Sequence, residues 1–152
     1  MLIHVNKTAT MASLLLTAGL VLAGCSGAPV AKGVAGGNVG GCPGSDNCVS
    51  SFTSRAGQKI EPLKFTGSKA DAKAKLKAVL AQREDARIVT EKADYLHVEF
   101  TTDLMKFVDD AEFLLANDNI QMRSASRVGY SDFGKNRERL QEIRSAFEPC
   151  CN

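Results

Sequence analysis

The chain is short of nearly every feature that would name an activity. Its 152 residues hold two histidines, His4 and His97, and no Gly-x-Ser-x-Gly elbow, phosphate-binding glycine loop or dinucleotide fingerprint. His4 falls in a segment expected to be removed, so a Ser-His or Cys-His nucleophile would rest on His97 alone. Charge of neither sign dominates: 19 Lys+Arg stand against 17 Asp+Glu, a net +2, which leaves no electrostatic case for nucleic acid or an acidic membrane surface as partner. No Cys-x-x-Cys pair exists, so a redox dithiol and a zinc ribbon are both excluded. No internal repeat is found. What is present, 44% hydrophobic and 24% charged residues, is ordinary globular usage and excludes collagen, coiled coil and wholesale disorder at a length that allows one domain.

The first 24 residues read as an address. One cation, Lys7, precedes a 12-residue apolar run from Met11 to Leu22, and Ala23 and Gly24 follow with small side chains. These are the charged, apolar and cleavage regions of a secretory signal in order. The run is well short of the ~20 residues a helix needs to cross a bilayer, so cleavage is favoured over a retained span. Leu22-Ala23-Gly24-Cys25 resembles a bacterial lipobox, which implies that the Cys25 thiol is lipidated and becomes the mature N-terminus. Acyl chains contribute about 0.8 kcal/mol per buried methylene and would hold the protein on a membrane. Ser26 rather than Asp after the cysteine resembles the outer-membrane default, facing the periplasm, of Gram-negative sorting. Losing residues 1–24 removes Lys7 and no acid, so the mature chain is almost neutral.

Residues 25–41 are expected to be the lipidated cysteine and a flexible tether, because six of the sixteen residues from Ser26 to Gly41 are glycine and no apolar period runs through them. Such a leash would span roughly 20–24 Å. Residues 42–148 then form a single domain, and 149–152 a cysteine-containing tail. Ser68 with Asp71 resembles a capping box and predicts a helix from about Lys69 to Arg83, with Ala72, Leu76, Val79 and Leu80 on its apolar stripe and Lys73, Lys75 and Lys77 as a solvated rim. Segments of strand character follow at Ala86–Lys92, Tyr95–Thr102, Lys106–Leu115 and Ile120–Val128, separated by Asp- and Asn-rich turns. A last helix is predicted from about Lys135 to Phe147. Helix, four strands, helix makes an α+β two-layer sandwich the natural solution: a four-stranded antiparallel sheet with two helices on one face.

Period-2 bookkeeping assigns the faces. Leu96, Val98, Phe100, Phe107, Phe113, Leu115, Ile120, Met122 and Val128 point to the core, and the same parity aims Asp109, Ser124 and Ser126 at the helix layer. A buried carboxylate needs a partner, and Asn136 and Arg144, four residues either side of Leu140, are the expected partners of Asp109. The other face carries Tyr95, His97, Glu99, Asp110, Glu112, Gln121, Arg123 and Arg127. Three acids against two arginines and a histidine read as a solvated, charge-laced face of cross-strand pairs, or as a ligand surface on which the arginines bind an anion bidentately. A metal site from His97, Glu99, Asp110 and Glu112 is the minor alternative, and no metal or cofactor is expected.

With Cys25 given to the lipid, four cysteines remain, and an exported location favours disulfides. Cys42 and Cys48, six apart in a loop with Pro43, Gly44 and Asn47, are the favoured pair. Cys150 and Cys151 are adjacent and would make a strained bond, leaving a link to another chain, or bridges back to the first pair, as alternatives.

Four ordered motifs then suggest relatives: Cys42 to Ser51, Tyr95 to Phe100, Phe107 to Phe113, and Arg123 to Gly134 with Asn136-Arg137. Together they resemble the domain-of-unknown-function family 1499, over essentially the whole domain from Cys42 onward. The resemblance implies bacterial exported and plastid relatives and no established activity. It places Asp109, Asp110, Glu112, Arg123, Ser124, Ser126, Arg127, Asp132, Asn136 and Arg137 in motif positions. Gly44 and Asp46 depart from the Ser and Pro of many relatives, and the Cys150-Cys151 tail has no counterpart in the family.

The expectation is a lipid-anchored cell-envelope protein that serves binding or assembly, its charged sheet face meeting an envelope protein or a small anionic ligand. Two alternatives differ in class. One is a hydrolase-type envelope enzyme with Asp109, Asp110 or Glu112 as acid and base and Arg123 or Arg127 as anion clamp. The other is a purely structural envelope component.

Overall fold

Ser68 starts the first helix for the expected reason: its hydroxyl accepts the Asp71 amide at 3.1 Å, satisfying one of the amides a helix start leaves unpaired. The computed structural model describes residues 27–148. The signal segment, Cys25, Cys150 and Cys151 lie outside them. Helix α1 (Lys69–Ala81) buries Ala72, Leu76 and Leu80, spaced four apart, while Lys73 and Lys77 reach Glu91 on its rim. Helix α2 (Lys135–Phe147) is entered differently from α1. Gly134 takes φ +82° just before it, and the Asp132 carboxylate accepts the amides of Gly134 and Asn136 at 2.9 and 2.8 Å.

The strands in chain order are β1 (Val34–Ala35), β2 (Asn38–Val39), β3 (Cys48–Ser50), β4 (Leu63–Lys64), β5 (Ala86–Lys92), β6 (Tyr95–Thr101), β7 (Val108–Leu115) and β8 (Asn119–Ser126). The class is α+β with an antiparallel sheet, but the sheet has six strands rather than four. The predicted meander β5-β6-β7-β8 is its centre, and β3 and β4 pair along the outer edge of β8. These two strands are three and two residues long, too short to show a period. The Cys42 and Cys48 sulfurs are bonded, with Cα atoms 5.6 Å apart, which ties the entry of β3 to the loop before it.

Both helices cover one face of the sheet. Leu76 and Leu80 of α1 and Leu140, Ile143 and Phe147 of α2 pack with Leu96, Val98, Phe100, Phe113, Leu115 and Met122 in one apolar cluster, where each full burial contributes about 1.5–3 kcal/mol. Phe107 and Val128 are corrections: β7 begins after one and β8 ends before the other, and both are exposed. Among the described residues no helix is long and apolar enough to cross a membrane.

Residues 27–41 depart furthest from expectation. They do not hang free: they form a strap across the sheet face opposite the helices, carrying the small β1-β2 hairpin. The Val39 amide donates to Gln121 Oε1 at 3.1 Å, and Val39 packs with Tyr95 and Leu114.

Candidate functional site

The strap turns the charged face into an interior. Asp110 and Glu112 are wholly buried, and Tyr95, His97 and Arg123 nearly so. Antiparallel register sets Glu99 directly opposite Asp110 and Glu112 opposite Arg123. Two acids facing each other repel, and Arg127 resolves the conflict. Its guanidinium donates to Asp110 Oδ2 at 2.9 Å and Oδ1 at 2.8 Å and also to Glu99, whose other oxygen takes Arg87. His97 Nε2 lies 2.7 Å from Asp110 Oδ1. Two residues along, Glu112 accepts Tyr95 Oη at 2.8 Å and Arg123 Nη1 at 2.9 Å.

Backbone of the strap completes both carboxylates. Val30 N donates to Asp110 at 2.7 Å, and Lys32 N and Gly33 N converge on Glu112 at 3.0 and 2.6 Å. Arg123 returns the contact, donating to the carbonyls of Val30 at 3.0 Å and Gly41 at 3.3 Å. The acids thus hold a segment that has no side-chain pattern of its own. Burial works to raise the Asp110 pKa, but hydrogen bonds from His97, Arg127 and the Val30 amide outweigh it and hold the carboxyl far below its ordinary 3.8. Glu99 is likewise held low, Arg127 and Arg87 overcoming its desolvation. Burial, with the Glu112 carboxylate behind it, pushes the Tyr95 phenol above its usual range, so it stays a donor.

A pH dependence follows with a fixed sign. A carboxyl whose folded pKa is depressed contributes stability that is complete above its unfolded value and is lost as pH falls through and below about 4. Melting temperature should therefore hold from about pH 7 to 5 and drop below about pH 4, with the gap between wild type and Asp110→Asn closing over that same acid range. A gap that stays constant in thermal melts across the range would remove Asp110 as the cause.

A second polar network lies on the helix side. Asp109 is paired, but with neither expected partner: Arg139 donates to it at 2.6 Å. Arg139 also reaches Asn136 Oδ1 at 3.0 Å and stacks its guanidinium 4.8 Å from the Phe100 ring centre. Asn136 binds Ser124, the Ser126 hydroxyl at 2.9 Å and the Asn47 carbonyl at 3.1 Å. The spacing of α2 holds the missed signal. Positions 136, 139, 140, 143 and 147 share one face by i+3 and i+4 steps, and counting only fours from Leu140 passes over Arg139. Arg144 instead clamps the carbonyls of Glu61 and Pro62, and Arg137 those of Gly57 and Lys59, both at 2.8 Å; these two residues staple the 57–62 loop to the helix.

Where the two networks meet the end of the sheet, a cleft of about 500 Å³ opens between residues 102–107 and 128–135. Phe107, Val128 and Phe133 give it apolar walls, and Asp109, Ser126 and Asp132 line it with polar atoms. Each lip contains a non-glycine residue in the left-handed region, Lys106 at φ +52° and Phe133 at φ +53°, a conformation costing about 1–2 kcal/mol apiece. Sequence reasoning missed this cleft because it counted Phe107 and Val128 into the core.

The sequence-derived candidates therefore divide. Asp110, Glu112, His97, Arg123 and Arg127 come together, but beneath the strap, where every carboxylate oxygen of Asp110 and Glu112 already has a protein donor. The face is neither solvated nor open to an anion. No cluster of metal-ligating side chains occurs among the described residues, since Arg127 occupies the place between Asp110 and Glu99. Asp109 and Asn136 belong to the other side, near the cleft.

The family model described as Protein of unknown function (DUF1499) matches residues 38–147, from the strap hairpin to the last residue of α2. No curated protein and no solved structure matches the chain.

Proposed function

We propose that this chain, which belongs to the DUF1499 family of proteins of unknown function, is a lipid-anchored envelope protein whose molecular role is binding, and that the cleft between residues 102–107 and 128–135 takes the ligand. The observation that carries the reading is a hollow of about 500 Å³ with apolar walls and a few convergent polar groups, the usual make-up of a small-molecule site. Strain on both lips supports it, because backbone held in unfavourable regions concentrates where ligands are clamped. The ligand would have an apolar body and a polar group able to meet Ser126 or Asp132. Anchoring is supported by the Leu22-Ala23-Gly24-Cys25 sequence and by the Cys42–Cys48 bond, which suits an oxidising compartment.

The enzyme alternative loses two of its three acids, because Asp110 and Glu112 are saturated and wholly buried. Asp109 is left, and the Arg139 guanidinium holds it. Protein extracted from membranes and examined by native mass spectrometry should carry a small molecule. Phe107→Asp, at an exposed wall position, should lower its occupancy about tenfold or more while leaving the fold intact. Wild-type protein that carries nothing, or occupancy untouched by the substitution, would sink the cleft as the ligand site. Cys25→Ser should separately release the chain from the membrane fraction.

A further inference from the structure

We infer that the end of the domain formed by residues 102–107 and 128–134 faces the bilayer, with Leu104, Met105, Tyr130 and Phe133 seated in its interfacial layer. Among the described residues eight large hydrophobic side chains are exposed, and six of them lie in these two loops. Phe133 is 95% exposed, Leu104 90%, Tyr130 70% and Met105 63%. The loops are neighbours, joined through the shared cleft and by the Arg127 amide donating to the Val108 carbonyl at 3.2 Å. Apolar surface gathered in this way marks a contact rather than chance exposure.

The start of the described chain says what the contact is. Gly27 lies against Arg127 and Val128, so closely that an added Cβ would sit 3.0 Å from Arg127 Cβ and 3.1 Å from Val128 Cγ1. The strap therefore begins at the cleft end and runs away from it, first over Asp110 with Val30 and then over Glu112 with Lys32 and Gly33. Cys25 is two residues before Gly27, and two residues of chain reach at most about 7 Å. The inference rests on the reading that Cys25 carries the acyl groups: a membrane entered there meets the loop tips. The loops carry only Asp103, Lys106 and Asp132 and so no excess of positive charge, which makes apolar burial and not attraction to anionic lipid the drive for the contact. Tyr130, with an apolar ring and a polar tip, suits the headgroup boundary.

The sequence contains no tryptophan, so a single introduced one reports alone. Full-length mature lipoprotein is reconstituted into phosphatidylcholine vesicles with brominated acyl chains as two variants. One is Phe133→Trp and the other Asn117→Trp, which is exposed in the β7-β8 turn at the opposite end of the sheet. Phe133→Trp emission should move to the blue and be quenched about threefold or more, indifferent to salt, while Asn117→Trp stays unquenched. Equal quenching of both variants, on protein whose intact mass shows acyl groups at Cys25, overturns the inference. A blue shift that needs high protein concentration and no brominated lipid overturns it too, and assigns the patch to a second copy. A mass without acyl groups overturns only the anchoring, and quenching that persists in that case sustains the docking.

Discussion

Replacing Arg123 by alanine is expected to cost about 3–5 kcal/mol and to lower the melting temperature by roughly 10–20 °C. Arg123 is among the largest fully buried side chains of the described residues, and what it leaves behind decides the size of the effect. Glu112, without any exposure, would lose its guanidinium partner, and the carbonyls of Val30 and Gly41 would lose a donor. A hydrophobic exchange of the whole pair should not rescue the fold, although buried ion pairs often tolerate that exchange. The reason is that Glu112 also accepts the amides of Lys32 and Gly33 and the Tyr95 hydroxyl, and an apolar residue would orphan all three. Arg123→Met with Glu112→Gln keeps a neutral oxygen for those donors and should recover part of the loss, whereas Arg123→Met with Glu112→Leu should be worse than Arg123→Met alone. Thermal denaturation followed by circular dichroism gives the order of the three. An Arg123→Ala protein melting within about 3 °C of wild type would show that the strap, not the ion pair, carries the stability.

The second large effect belongs to the other side of the sheet. Arg139→Ala should cost a similar ~3–5 kcal/mol, because Asp109 is buried and Arg139 is its charged partner. Part of that cost is packing, since the guanidinium also covers the Phe100 ring, a contact of about 0.5–2 kcal/mol. The remainder is charge and can be isolated. Asp109→Asn in the Arg139→Ala background removes the stranded carboxylate and should restore about 1–3 kcal/mol, where Asp109→Asn in the wild-type chain should only destabilise. Arg139→Lys should rescue little, because one ammonium cannot reach Asp109, Asn136 and Ser124 in the fork that Arg139 uses. A cycle of the four proteins by urea denaturation measures the coupling, and a coupling below about 0.5 kcal/mol would make Asp109 and Arg139 independent neighbours.

How far the molecule could be read from its residues depended on whether the residues repeat. Helix α1 was legible because Ser68 and Asp71 fix its start and Ala72, Leu76 and Leu80 recur at helical spacing, and β6 because Leu96, Val98 and Phe100 alternate with His97, Glu99 and Thr101. Both faces of β7 and β8 followed from the same parity. Strands β3 and β4 were not legible, since two or three residues carry no period and their partner is a strand about 60–80 residues on. The strap failed for a deeper reason. Its glycines and alanines resemble a linker because none of its side chains is needed for the contact; it is recognised through its amides, and amides look the same at every residue. Asp110 and Glu112 were the readable half of that interaction. Three acids, Glu99, Asp110 and Glu112, on a sheet face that also held two arginines were taken for a surface, when their number exceeded what the arginines could neutralise and pointed to donors from elsewhere in the chain. The partner of Asp109 was misassigned within a single helical turn, while the cleft was hidden by extending two strands to Phe107 and Val128.

The strap also bears on the order of assembly. Its bonds to Asp110 and Glu112 join residues about 80 positions apart, so the strap finds its full set of partners only where β7 has paired with its neighbours and aligned the two acids. Loop closure over that distance is slow compared with forming the hairpins of the meander. Without the strap, Asp110 and Glu112 would face water instead of lying under cover. Docking of the strap is thus expected late in folding, and whatever holds its N-terminal end in place beforehand would govern how soon it comes.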